Sequence, residues 1–150
     1  MLFTMLMADL ISNLVSLAIC NKMSDLLGIS GVSNDMRDVD NAAKEGNPRA
    51  QLARDMLVYG IRKYIGSYAA AMGGVDIITF TAGVGENGPD MRESICEGLG
   101  FLGVHVDHEK NQVRGKETDI SAADSTVKVY VIPTNEELMI ARDTLALVTK

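Results

Sequence analysis

The sequence predicts an α/β layered domain. Two β-branched runs support this, Val75-Asp-Ile-Ile-Thr-Phe-Thr81 and Val127-Lys-Val-Tyr-Val-Ile132, and each passes through a turn into a helix start. A long helical pattern precedes the first run. Strands alternating with helices in this way require a sheet with helices laid against it. At 150 residues the chain suits one domain with a single substantial core.

Residues 1–20 are apolar apart from Thr4, Asp9, Ser12, Asn13 and Ser16. A secretory signal would carry Lys or Arg ahead of the apolar stretch, yet the first basic residue is Lys22. Asp9 and Asn13 make a membrane span costly. Leu6, Leu10, Leu14 and Leu17 fall at helical spacing, so the segment is expected to form a helix that another surface covers. Residues 26–40 read as loop-rich. Gly28 and Gly31 should interrupt any helix there, and Ser33, Asn34 and Asp35 are turn or cap residues. A short polar helix follows, ending near Gly46-Asn47-Pro48.

Residues 48–72 form the strongest helical pattern, with Pro48 in the first turn and Gly73-Gly74 at the end. Ala53, Met56, Leu57, Ile61, Tyr64, Tyr68 and Met72 trace an apolar stripe, on which the tyrosines are expected to be packing residues. After the first strand comes Gly83-Val-Gly-Glu-Asn-Gly88, then a helix over residues 89–98 started by Pro89 and capped by Asn87 or Gly88. Residues 101–106 suit a short strand, and residues 110–125 are charged and irregular. Pro133-Thr134 closes the second clear strand. Thr134-Asn-Glu-Glu137 then has the form of a capping box, opening a helix with Leu138, Ala141, Leu145 and Val148 on one face.

Asp and Glu number 20 against 14 Lys and Arg, a net charge of −6, and the basic residues are scattered. Nucleic acid is therefore not an expected partner, since its footprint needs clustered positive charge. Cys20 and Cys96 are far apart and read as two thiols in a reducing compartment.

Several motifs admit more than one chemistry. Gly83-Val-Gly-Glu-Asn-Gly88 satisfies the dinucleotide spelling, and a glycine turn between strand and helix also suits ATP or no ligand at all. Against the dinucleotide reading, Glu86 would face a pyrophosphate with the wrong charge, and Glu86 and Asn87 are expected to precede the helix rather than lie inside it. Arg37 in Asp35-Met36-Arg37 can stack on a purine or pair with phosphate, while the plainer reading is a local Asp–Arg pair. His105 and His108 flank Asp107 without a third spaced ligand, which favours a solvated loop over zinc. Glu136 and Glu137 are either dipole-complementing residues of a first helical turn or ligands for a hard cation. No Ser/His/Asp or Cys/His arrangement is signalled.

Taken together, five segments resemble the acetate kinase family, in order and spacing from about Asn21 onward. They are Leu26-Leu-Gly-Ile-Ser-Gly-Val-Ser-Asn-Asp-Met-Arg-Asp38, Ile65-Gly-Ser-Tyr-Ala-Ala-Ala-Met-Gly-Gly-Val-Asp76, Phe80-Thr-Ala-Gly-Val-Gly-Glu-Asn87, Asn111-Gln-Val-Arg-Gly115 and Val131-Ile-Pro-Thr-Asn-Glu-Glu137. The resemblance implies the ribonuclease H-like, actin-like ATPase fold of the acetate and sugar kinase superfamily. It also implies a cytoplasmic enzyme, dimeric at full length, that interconverts acetate plus ATP with acetyl phosphate plus ADP, with propionate or butyrate as close variants. By the same resemblance Asp35, Met36 and Arg37 match a nucleotide-binding tripeptide. Gly83, Val84, Gly85, Glu86 and Asn87 match an adenosine-side ATP loop, and Glu136 matches a Mg²⁺-binding carboxylate.

The family's first phosphate-binding segment, second Mg²⁺ ligand, acyl-substrate arginine, catalytic aspartate and phosphoryl-stabilising His and Arg have no match here. The chain thus reads as a C-terminal nucleotide-binding domain, residues 21–150, behind a divergent leader, residues 1–20. Alone it is expected to have little or no kinase activity, because phosphoryl transfer needs charge neutralisation from both sides of a cleft. A non-catalytic nucleotide-binding or dimerisation fragment is the alternative.

Overall fold

A computed structural model describes residues 25–149. The apolar segment 1–20 and Cys20 lie outside the described residues. The described residues fall into two compact units, divided after Gly60.

In the first unit, helix α1 (Asp25–Ser30) includes Gly28, where a break was expected. Tertiary capping overrides the glycine: the Arg49 guanidinium donates to the carbonyls of Gly28 at 3.0 Å and Ile29 at 2.9 Å. Those carbonyls would otherwise be unpaired at the helix end. Asp35 caps helix α2 (Met36–Lys44) by accepting from the Arg37 amide, and Met36 and Val39 are buried. The 26–40 stretch is thus more helical than its composition implies. Asn47 Oδ1 then accepts from the Arg49 and Ala50 amides, which starts helix α3 (Pro48–Met72) where Pro48 predicts.

The buried residues of α3 are Ala50, Ala53, Val58 and Ala69, not the tyrosines. Tyr64 and Tyr68 stack on each other with ring centroids 6.2 Å apart and remain more than 60% exposed. Periodicity locates an apolar sector without saying what covers it.

In the second unit, strand β1 (Ile77–Phe80) pairs in parallel with strand β3 (Lys128–Val131), placing Ile78 beside Val129 and Phe80 beside Val131. The short strand β2 (Thr118–Asp119) runs antiparallel on the other side of β3, so the order is β1-β3-β2. Alternation sends Ile78, Phe80, Val129 and Val131 into a core with Met91, Ile95, Leu99, Val104, Ile120 and Val127. Each such side chain contributes about 1.5–3 kcal/mol by burial. Cys96 is buried in the same unit, and burial pushes its thiol up to about 12, so it is inert.

Residues 101–106 are not a strand. A 3₁₀ turn (Gly100–Leu102) leads into Gly103 at φ 85°, a left-handed conformation, and only Val106 bridges to Ser121. A side chain at position 103 would also collide with Thr126 Oγ1, so the chain must turn there.

Between β1 and β3 lie helix α4 (Ala82–Asn87) and helix α5 (Pro89–Glu97), the latter capped at Gly88 as expected. Arg92 of α5 is fully buried. Its guanidinium donates to the carbonyls of Gly85 (2.8 Å), Glu86 (3.0 Å), Asn111 (2.5 Å) and Val113 (2.8 Å), and to Asn111 Oδ1 (2.8 Å). Asn111 Nδ2 in turn donates to the Pro89 carbonyl at 2.9 Å.

The final helix α6 (Glu136–Val148) is capped by Asn135, whose Oδ1 accepts from the Leu138 amide, and not by Thr134. Thr134 lies one residue ahead of the cap position, and its amide and hydroxyl both donate to Glu86. The expected apolar face is not covered: Leu138, Leu145 and Val148 are all exposed.

Arg92→Ala should lower unfolding free energy by about 3 kcal/mol, because it strands buried carbonyls and opens a cavity. A fall in the urea midpoint at constant slope would show it. Arg92→Lys should recover only part, since an ammonium cannot reproduce the fork. An unchanged midpoint for Arg92→Ala would contradict this account of the core.

Candidate functional site

The parallel pair β1/β3 fixes where a site can form. Both strands deliver their carboxyl ends to the same edge, where open α/β sheets bind ligands. There the chain opens a cleft of about 360 Å³ lined by Ala82 and Gly83 after β1, and by Thr134, Asn135, Glu136 and Glu137 after β3.

The first wall is the glycine segment. It is wound into α4 rather than left as an open turn, with Ala82 in a left-handed conformation at φ 58°. That conformation costs about 1–2 kcal/mol for a non-glycine residue and must be imposed by its surroundings. Glu86 holds the Ala82 amide in this conformation, its Oε1 accepting from it at 2.8 Å. The same oxygen accepts from the Thr134 amide at 2.8 Å and the Thr134 hydroxyl at 2.9 Å. These Thr134 bonds hold the Glu86 carboxyl below the usual glutamate range.

The other end of α4 is held by cations. Arg92 takes the Gly85 and Glu86 carbonyls, and Arg114 donates to the Asn87 carbonyl at 2.7 Å. Positive charge at a helix C-terminus complements its dipole.

The glycines differ in role. A Cβ at Gly83 would meet nothing within 4 Å, so its backbone is open to the cleft. One at Gly88 would lie 2.8 Å from the Val84 carbonyl, so that glycine permits the close junction of α4 and α5. Of the remaining expected residues, Val84 is partly exposed, Gly85 lies against the Phe80 backbone, and Asn87 Nδ2 donates to the Gly83 carbonyl at 3.1 Å.

On the second wall, Glu136 and Glu137 occupy the first turn of α6, exposed, beside the Asn135 cap. The structure thus brings Gly83 and Glu136 to one cleft.

In the first unit, Met36 is buried and Arg37 is solvent-exposed, its side chain 87% accessible. Arg37 Nη2 lies 2.5 Å from Asp35 Oδ2, the local pair that is the plainer reading of the tripeptide. His105 pairs with Asp124 at 2.7 Å and His108 with Glu93 at 2.8 Å. Among the described residues no three His, Cys, Asp or Glu side chains gather into a metal cluster. The sequence gives no role to Arg92 or to Arg114, and it points to Thr134 as a helix cap rather than as a partner of Glu86. The one available signal was a basic residue, Arg92, set in register with Met91 and Ile95 on a buried helix face.

A cleft at the carboxyl edge of a parallel pair, with a glycine wall facing carboxylates, marks an α/β ligand-binding domain, and the acetokinase match gives its fold class as actin-like ATPase. The chain belongs to the acetokinase family, whose model matches residues 5–142 and so takes in most of the apolar segment at the start. It is 62% identical to an acetate kinase of Treponema denticola over 143 residues, covering 95% of this chain and 35% of that protein. Among solved structures, an acetate kinase of Porphyromonas gingivalis matches with TM-score 0.79 and 51% identity over 87% of this chain and 33% of that one. A propionate kinase of Francisella tularensis matches with TM-score 0.74 and 41% identity over 83% and 31%. The chain therefore spans about a third of the length of the acetate kinases it matches.

Family membership sets the dinucleotide reading aside. Glu86 and Asn87 precede α5, the helix expected from Pro89, and lie in the short helix α4 that the sequence does not predict.

The Asp35 carboxyl is held at about 2, below its ordinary 3.8, chiefly by the Arg37 side chain. Its contribution to stability is therefore complete above the ordinary value and is lost as pH falls through about 2. Side-chain carboxyl NMR should give a midpoint near about 2 that moves up in Arg37→Ala. An ordinary midpoint in the unaltered chain would contradict the pair.

Proposed function

We propose that this chain forms the nucleotide side of an acetate kinase, the C-terminal domain over residues 21–150. The enzyme transfers a phosphoryl group between ATP and acetate to give ADP and acetyl phosphate. The observation that carries the reading is the cleft at the carboxyl ends of β1 and β3, within a chain of the acetokinase family. Residues 83–87 form the adenosine-side wall, with the open backbone at Gly83 admitting the nucleotide closely.

Glu136 is the proposed metal ligand. Two adjacent exposed carboxylates at the cleft offer the hard oxygen donors that suit Mg²⁺, which keeps several waters and takes one or two carboxylates alongside substrate phosphates. When bound, the ion neutralises charge on those phosphates. In the tripeptide Asp35-Met36-Arg37, the exposed Arg37 is the member available to a nucleotide, by stacking or by pairing with phosphate. A homodimer and a cytoplasmic setting belong to the same reading. Among the described residues no helix is long and apolar enough to cross a membrane.

Isothermal titration of the chain with ADP should show binding that Mg²⁺ strengthens. Glu136→Gln should remove that gain, about tenfold, while leaving Mg²⁺-free affinity in place. Arg37→Ala should weaken ADP binding in both conditions. Purified chain alone should form no acetyl phosphate, since it shows no matches to the groups that bind the acceptor and stabilise the transferring phosphoryl. Absence of ADP binding would overturn the reading.

A further inference from the structure

Glu86 falls in the segment assigned to the nucleotide, yet its side chain is not among those lining the cleft. One oxygen, Oε1, receives the Ala82 amide from the first wall and both the amide and hydroxyl of Thr134 from the second. No other side-chain hydrogen bond among the described residues joins residues 82–83 to residues 134–137 in this way. We infer that Glu86 is a positioning residue that sets the separation of the two cleft walls rather than touching the nucleotide. This rests on the nucleotide reading of the cleft.

Three features support the inference. Ala82 is left-handed without being glycine, a conformation that persists only when neighbours impose it, and Glu86 holds its amide. Thr134 immediately precedes Asn135, the cap that orients the first turn of α6 and with it Glu136. Glu86 therefore reaches the proposed metal carboxylate through two consecutive residues. Finally, a carboxylate bare to phosphates would repel them, whereas three donors turn Oε1 of this one toward the two walls.

The test compares Glu86→Ala, Glu86→Gln and Thr134→Val in the full chain. It reads ADP affinity with and without Mg²⁺, together with hydrogen exchange at the amides of residues 82–83 and 135–137. Glu86→Ala should speed exchange on both walls and weaken Mg²⁺-dependent ADP binding by about tenfold. Glu86→Gln, whose amide oxygen accepts from the same donors, should stay within about threefold of the unaltered chain. Thr134→Val should be intermediate. The double variant Glu86→Ala/Thr134→Val should be no weaker than Glu86→Ala alone, because both remove one linkage.

A direct nucleotide contact would instead make Glu86→Gln as damaging as Glu86→Ala, or tighten binding once the charge is gone, with wall amides unchanged. Either result overturns the inference. If the unaltered chain binds no ADP, the nucleotide reading fails on its own. Exchange in Glu86→Ala then decides the wall linkage, faster on both sides upholding it and unchanged refuting it.

Discussion

Arg92 carries five N–H donors into the core of the second unit, and carbonyl oxygens receive them. Burial, together with the neighbouring Arg114 charge, draws the guanidinium pKa down, and the Gly85 and Glu86 carbonyls at the C-terminal end of α4 accept hydrogen bonds from it. The consequence reaches beyond one side chain. A six-residue helix containing two glycines has no stability of its own, since nucleation is costly and glycine opposes helix formation. It exists because Arg92 and Arg114 grip one end and Glu86 folds back on the other. Held this way, the segment presents Gly83 to the cleft as a fixed surface.

The sheet supplies the other half of the geometry. Parallel pairing of β1 and β3 brings the two chain exits side by side, and the Ile132 amide extends the ladder by donating to the Phe80 carbonyl at 2.9 Å. A glycine wall and a carboxylate wall then face each other without long connecting loops. That arrangement suits a ligand with an adenosine part and a metal-bound phosphate part.

The parts of the fold that were legible depend on local signals. Pro48 and Asn47 mark the start of α3, Gly88-Pro89 the start of α5, and β-branched alternation both core strands. The expectations that failed depend on distant partners. Gly28 is helical because Arg49, twenty-one residues on, caps its carbonyl. Asn135 and not Thr134 caps α6, and Thr134 is instead bound to Glu86, forty-eight residues earlier. Gly83 and Glu136, which line the cleft, stand in segments that the family motifs single out. The buried Arg92 does not, because a lone arginine looks like any exposed charge until its neighbours are known.

The central claim is that Arg92 and Glu86 hold α4 so that the cleft between Gly83 and Glu136 receives the nucleotide. Amide chemical-shift mapping of the isotope-labelled chain during titration with ADP and Mg²⁺ tests it most directly. The largest shifts are expected at residues 82–85 and 135–137, with residues 110–112 behind Arg92 little moved. Shifts centred away from these two walls, or none at saturating nucleotide, would contradict the account.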